Sequence, residues 1–258
     1  MKKSRFPFYV TMGILVFFYL PIVIVFFQSF NASRFGGIWK GFTFNWYIKL
    51  FTDKNIWHSL SNTFIIALAS TLAALVLGTL AAYALYRYKT KLQVTHNIMI
   101  YSPLVMPDIL MGISLLLFFV SIKMDLSLVT IFLAHVTFSI SYVAMVVLAR
   151  FQDFDYSIME AALDLGATQG TAVKKILIPY LMPGLAAGGL LSFTLSLDDF
   201  VITFFVAGPD STTLPLYIYS MMRHGSPAVI NALSVLLILF SFFVVFISKK
   251  LTGARLSR

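Results

Sequence analysis

The chain of 258 residues predicts an all-α integral membrane protein with six transmembrane helices in a single membrane domain over 1–258. Three observations predict it. Hydrophobic residues make up 59% of the chain and charged ones only 11%, far from the balance of a water-soluble domain. Several apolar runs reach the roughly 20 residues that cross a bilayer, without one Lys or Arg inside them. The basic residues sit in short clusters between those runs, as topology signals do, which argues against reading the net charge of +9 as a nucleic-acid surface.

Taken in order, the runs lie near 8–29, 60–85, 97–121, 127–148, 180–205 and 229–248. The first continues through Pro21 to Phe27 before ending in Gln28-Ser29-Phe30, longer than the apolar core of a cleaved signal peptide, so it is expected to be retained. Six spans bring both termini to one side. The loops of that side hold Lys2, Lys3, Arg5, Arg87, Lys89, Lys91, Arg150, Lys174, Lys175, Lys249, Lys250, Arg255 and Arg258, which is 13 of the 19 basic residues. The positive-inside rule therefore places both termini in the cytoplasm.

Two connections are long. The outer segment from Asn31 to Ser59 interleaves Trp39, Trp46, Tyr47 and Trp57 with lysines, a pattern for a short amphipathic helix at the lipid surface. The cytoplasmic segment from Arg150 to Pro179 carries Asp153, Asp155, Glu160 and Asp164. Within it, Glu160-Ala161-Ala162-Leu163 is helix-favouring and Gly166 can end the helix, while Glu160 suits the positive N-terminal end. Small alanines permit close approach of a partner surface.

Three carboxylates fall inside spans: Asp108 after Pro107, and the adjacent pair Asp198 and Asp199. Burying a charge in a bilayer costs at least about 2.5–3.5 kcal/mol on insertion scales, so each is expected to face a cavity or a partner of opposite sign. At about 1.5 Å rise per residue from Asn97, Asp108 lies about 16 Å into the third span. On a continuous fifth helix Ser192, Ser196, Asp199 and Thr203 share one stripe and Thr194 and Asp198 the neighbouring face. Such a polar, acid-bearing strip suits the path of a cationic solute; capping of a helix at Pro107 and bonds to neighbouring helices are the plain structural alternatives. His135, in the fourth span, reads as a hydrogen-bonded packing residue. Gly184, Gly188 and Gly189 read as close-packing positions. Tyr217, Tyr219, Arg223 and His224 belong to an outer loop. With no cysteine there is neither a disulfide nor a thiolate metal site, and no metal is expected.

The spacing Glu160-Ala161-Ala162, three residues, Gly166, nine residues, then Ile176-Leu177-Ile178-Pro179 resembles the cytoplasmic motif of permease subunits of bacterial ABC importers, with Ile178 in place of the usual Leu. The resemblance implies the type I importer fold, with a coupling helix in which Glu160, Ala161, Ala162 and Gly166 dock on a separate ATP-binding subunit. Beyond this loop, Ser29-Phe30-Asn31-Ala32-Ser33-Arg34-Phe35-Gly36, Ala84-Leu85-Tyr86-Arg87-Tyr88, Ser102-Pro103 through Pro107-Asp108-Ile109, Leu191 through Asp199 and Leu214 through Met221 resemble the polyamine (spermidine/putrescine) permeases of that family. Implied with it are a homologous second permease, two copies of the ATP-binding subunit, an extracytoplasmic polyamine-binding protein, and a place in the bacterial inner membrane. Asp108, Asp198 and Asp199 would then line the substrate path.

No Gly-x-x-x-x-Gly-Lys-Ser/Thr stretch occurs to wrap phosphates, so no catalytic residue and no cofactor is expected in this chain; ATP and Mg belong to the partner ATPase. Two readings from other classes stay open at this stage: a proton-coupled secondary carrier relaying through the three aspartates, and an intramembrane hydrolase with two catalytic aspartates.

Overall fold

The computed structural model describes residues 6–88, 91–223 and 227–256, with side chains as far as Phe242. Lys2, Lys3, Arg5, Lys89, His224 and Arg258 therefore lie outside the described residues. Twelve α-helices follow one another among those described, with no strand beyond an isolated bridge between Asn31 and Phe42. They are α1 (Phe6–Gln28), α2 (Asn45–Thr52), α3 (Lys54–Arg87), α4 (Gln93–Val105), α5 (Asp108–Ser121), α6 (Leu128–Gln152), α7 (Ser157–Asp164), α8 (Gln169–Ala172), α9 (Ile178–Asp198), α10 (Val201–Val206), α11 (Leu214–Arg223) and α12 (Pro227–Leu256). One π-helical turn, Val173–Leu177, joins α8 to α9.

Four helical stretches are long and apolar enough to cross a membrane: α1, α3, α6 and the run Gln169–Asp198. The apolar run near 97–121 is not one straight helix. It comes as α4 and α5, bent by 112°, and counts as a fifth span if the pair is taken together. The cause is Pro107. Proline supplies no N–H and pushes the preceding residue out of the helical region, and Met106 accordingly sits at φ −71°, ψ 131°. The run near 180–205 is also interrupted, between Asp198 and Val201, where Asp199 turns extended (φ −62°, ψ 124°).

The chain divides into two compact units. One comprises residues 1–57 with 217–258. Here α12 packs against α1 and α2, and Leu50 of α2 is buried as the amphipathic pattern of 31–59 requires. No residue of α1 is buried, which leaves an all-round apolar helix facing outward, as a lipid-exposed helix does. Ahead of α2 the chain is pinned by buried Asn31: its Oδ1 accepts from the Ser33 and Lys40 amides at 3.1 and 3.0 Å, its amide nitrogen donates to Gln28 and Ile38, and its carbonyl accepts from Trp46 Nε1 at 2.8 Å.

The other unit, residues 58–216, is a bundle of α3, α6 and α9 with α4, α5, α7, α8 and α10 packed on it. The glycines of α9 let it approach its neighbours: a Cβ on Gly188 would lie 3.5 Å from Val143 of α6, one on Gly184 would meet the Arg150 stem, and one on Gly189 would lie 3.2 Å from Leu75 of α3. Hydroxyls join α3 to α9, with Ser70 on Ser196 at 3.1 Å and Thr71 on Ser192 at 3.4 Å. Small residues plus shared hydroxyls are how helices associate where lipid removes the hydrophobic drive.

Two apolar clusters fill this unit. The first runs from Ala74, Val143 and Val147 through Phe151 and Phe154 to Met159 and Leu177, so it continues from the long helices into α7 and the π-helical turn. The second gathers Met111 and Phe119 of α5, Ile131, Ala134 and Phe138 of α6, and Ile202 and Val206 of α10. It holds the two helix breaks near one another.

Candidate functional site: the helix breaks and the short helix

At the first break α4 ends on the Met106 amide, which donates to the Ser102 carbonyl, and α5 starts with Asp108 in its first turn. A carboxylate there meets the positive end of a helix dipole, which lowers its cost. Asp108 is exposed. At the second break Asp198 is the last residue of α9, also exposed, beside carbonyls that have no further turn to receive their bonds. Both residues line a cavity of about 250 Å³, with Asp199, Pro103, Tyr142 and Phe200 completing much of its wall.

Asp199 differs from the other two. Its Oδ2 accepts from the Thr203 amide at 2.8 Å and the Thr203 hydroxyl at 2.7 Å, and its Oδ1 accepts from the Ile202 amide at 3.3 Å. It caps α10. Its Oδ2 also lies 3.3 Å from His135 Nε2. His135 is 1% exposed and joins Ser196 through Nδ1 at 2.7 Å and Thr203 at 3.0 Å. Expected only as a packing residue, His135 is the hub on which Ser196, Asp199 and Thr203 converge, although the helix that was to align them is broken.

The short helix α7 stands where the acidic loop predicted one. Asp155 precedes it and accepts from the Ser157 amide at 2.9 Å; that backbone bond, then the Ser157 hydroxyl, hold its carboxyl below the usual carboxylate range. Gly166 ends the helix at φ +87°, with the Gly166 amide on the Leu163 carbonyl at 2.9 Å and the Ala167 amide on the Ala162 carbonyl at 3.0 Å. These paired bonds are the Schellman closure that glycine makes at least cost. Met159 is buried in the apolar cluster that continues from the long helices, whereas Glu160 and Ala161 are exposed and Ala162 is half-buried. One face of α7 thus anchors it and the other is presented outward. Between α11 and the start of α3, Tyr217 donates to Asp53 at 3.2 Å; burial first, then the Asp53 charge, raises its hydroxyl above the ordinary tyrosine range.

Among the described residues, no group of three or more His, Cys, Asp or Glu side chains is placed to hold a metal ion. The arrangement offers acids at two helix breaks and a docking-sized helix on a short tether. Residues 74–253 match the family model described as the binding-protein-dependent transport system inner membrane component. The chain belongs to that family.

Among curated relatives, the spermidine/putrescine transport system permease protein PotC of Escherichia coli K12 is 39% identical over 237 residues, 92% of this chain and 90% of that protein. The putrescine transport system permease protein PotI of the same organism is 42% identical over 229 residues, covering 86% of this chain and 82% of its own. The fold likewise matches solved importers. A bacterial ABC transporter that imports the acidic polysaccharide alginate gives a TM-score of 0.74 at 18% identity, over 97% of this chain and 98% of the other. The MetNI methionine ABC transporter gives 0.61 at 19%, over 82% and 98%. The chain is a transport permease component, not an enzyme, and the carrier and hydrolase readings fall with that assignment.

Proposed function

We propose that this chain is one of two homologous permeases forming the membrane path of a polyamine importer, with six spans and both termini in the cytoplasm of a bacterial cell. The spans would be α1, α3, the broken pair α4 and α5, α6, α9 with α10, and α12. An extracytoplasmic binding protein delivers spermidine or putrescine to the outer mouth. Two ATP-binding subunits, which hold ATP and Mg, close on each other and move α7, whose Glu160, Ala161, Ala162 and Gly166 sit on the motor. The permeases then turn the cavity from one side to the other.

The observation that carries this reading is the cavity where Asp108 and Asp198 meet with no Lys or Arg among the described residues of its wall. Asp198 at a helix C-terminus adds an anion to the negative end of a dipole, which an arriving ammonium offsets. Aromatic rings beside it supply cation–π attraction. Polyamines are what the named relatives carry, and their charge fits the acids. Asp199, tied to His135 and α10, shapes the wall, and Asp108 and Asp198 make the contacts.

Uptake of labelled polyamine, amino acid, sulfate and ferric ion by the reconstituted complex tests this. Polyamine alone is expected to accumulate, and the double variant Asp108→Asn with Asp198→Asn is expected to lose most of that uptake while still assembling with the ATPase. Preference for an anion would sink the substrate assignment, and unchanged uptake by the double variant would remove these acids from the path.

A further inference from the structure

The four residues of α7 and its closing turn that are assigned to the motor supply little of what holds two proteins together. Glu160 brings a charge, Ala161 and Ala162 bring small surfaces and Gly166 a turn, whereas the energy of an interface comes mostly from a few large side chains buried at its centre. Two large apolar side chains of the same short helix stand in the open. Leu165, its C-terminal cap, is 90% exposed, more than any other large apolar side chain among the described residues, and Ile158 in its first turn is 49% exposed. One exposed leucine is ordinary on a protein surface. This one belongs to a stripe.

Ile158, Ala161 and Leu165 are spaced i, i+3 and i+7, the register in which a helix offers one apolar face to a groove. All three are exposed, while Met159, which anchors the helix in the apolar cluster, lies about 100° round the helix from Ile158. The end of the stripe is held in place. The Leu165 amide donates to the Ala161 carbonyl at 3.1 Å, and the paired bonds closed at Gly166 and Ala167 follow directly, so the backbone that carries Leu165 is fixed before any partner arrives. A preorganised anchor binds without the further cost of ordering it.

Beside the stripe, Glu160 and Asp164 lie four residues apart on one edge, both exposed, and among the described residues neither has a basic partner. That edge decides what covers the stripe. A bilayer surface with anionic headgroups repels two carboxylates, while a protein groove with an apolar floor and a basic rim takes both features at once. We infer that Ile158 and Leu165 are the apolar anchors of the motor contact, seated in a groove of the ATP-binding subunit whose Lys or Arg side chains face Glu160 and Asp164. This rests on the coupling role proposed above for α7. Gly166 then acts through its neighbour: its turn ends the helix at the residue that binds.

The test titrates the purified permease pair with its ATP-binding subunit. Leu165→Ser is expected to weaken capture about tenfold or more, with the thermal unfolding midpoint of the permease pair unchanged because the side chain already stands in solvent. Ile158→Ser is expected to lose about fivefold, and Leu165→Met, which keeps an apolar anchor, to stay within about twofold of the parent. Capture by Leu165→Ser equal to that of the parent, or equal loss by the Ser and Met variants, overturns the inference and leaves the coupling role of α7 standing; a parent pair that captures no ATP-binding subunit overturns that role. Because this chain has no cysteine, Leu165→Cys in a cysteine-free pair can carry a polarity-sensitive fluorophore as a single reporter. Its emission is expected to shift to the blue when the ATP-binding subunit is added in detergent. A shift on reconstitution into anionic phospholipid vesicles alone, with none on adding the subunit, overturns the inference in favour of a bilayer contact.

Discussion

His135 Nε2 lies 3.3 Å from Asp199 Oδ2, and the same ring nitrogen is 3.0 Å from the Thr203 hydroxyl that donates to that carboxylate. The imidazole thus closes a ring of contacts around the break between α9 and α10, with Ser196 held on its other nitrogen and Ser70 beyond it. Removing it takes one partner each from Ser196, Asp199 and Thr203, which keep their bonds to Ser70 and to one another, a loss of about 1–3 kcal/mol. His135→Ala is expected to lower the thermal unfolding midpoint of the detergent-purified complex by several degrees, and His135→Gln to recover part of the loss. Equal midpoints for the alanine variant and the parent would show that the ring adds nothing to the break.

A second link joins α3 to the short helix. Arg87 stacks on Tyr156, Tyr86 donates to the Phe154 carbonyl at 3.0 Å, and the Tyr86 ring stacks on Phe151 with centroids 5.1 Å apart. In the proposed cycle this clamp passes movement of α7 directly into α3. A cation–π contact of this kind is worth about 0.5–2 kcal/mol, and about 1 kcal/mol corresponds to roughly fivefold in an equilibrium. Tyr156→Leu is therefore expected to leave ATP hydrolysis in place while uptake per ATP falls roughly fivefold. Parallel loss of both activities would instead mean a failure of docking.

Acid should loosen the start of α7 through Asp155. Because its carboxyl is held below the ordinary range by the Ser157 amide, its contribution is fully present above the ordinary carboxylate pKa and is lost as pH falls through the lower folded value. Between pH 5 and 8 the contribution is constant, so any change of coupling in that interval has another source. Hydrogen exchange of the α7 amides, extrapolated to equal intrinsic rates, is expected to be flat down to about pH 4 and to rise below it. Asp155→Asn should flatten that rise. A rise that persists in the variant would assign it to a different carboxylate.

How much of this was legible beforehand depends on the reach of each interaction. The short helix was, since its acidic start, alanines and closing glycine are all local, and Gly166 closes it at the position its sequence indicated. Pro107 marked the break before Asp108, although the apolar run around it reads as one span. The interruption at Asp199 was not marked by any proline: apolar residues continue on both sides, and the turn is stabilised by a cap the Asp side chain makes for itself on Ile202 and Thr203. His135 was opaque for a different reason. Its partners lie 61 and 68 residues away, and only the packing of α6 on α9 and α10 brings them together.

Gly166 provides the most direct check on α7. At φ +87° it occupies the left-handed region, and nothing lies within 4 Å of where a Cβ would stand. Any effect of a side chain there is consequently one of backbone conformation, not of crowding. The left-handed cost for a residue with a Cβ is about 1–2 kcal/mol, somewhat less for Asn, whose short polar side chain supports this geometry. Gly166→Ala is expected to fray the end of α7 and weaken capture of the ATP-binding subunit by roughly five- to thirtyfold, with Gly166→Asn intermediate between it and the parent. Because the position is open to solvent, a partner surface pressing on it would add a steric penalty that Asn also suffers. Ala and Asn variants that bind equally poorly would mean that the ATP-binding subunit leaves no room for any side chain at Gly166; a graded series would mean that Gly166 serves docking through the turn it makes at the end of α7.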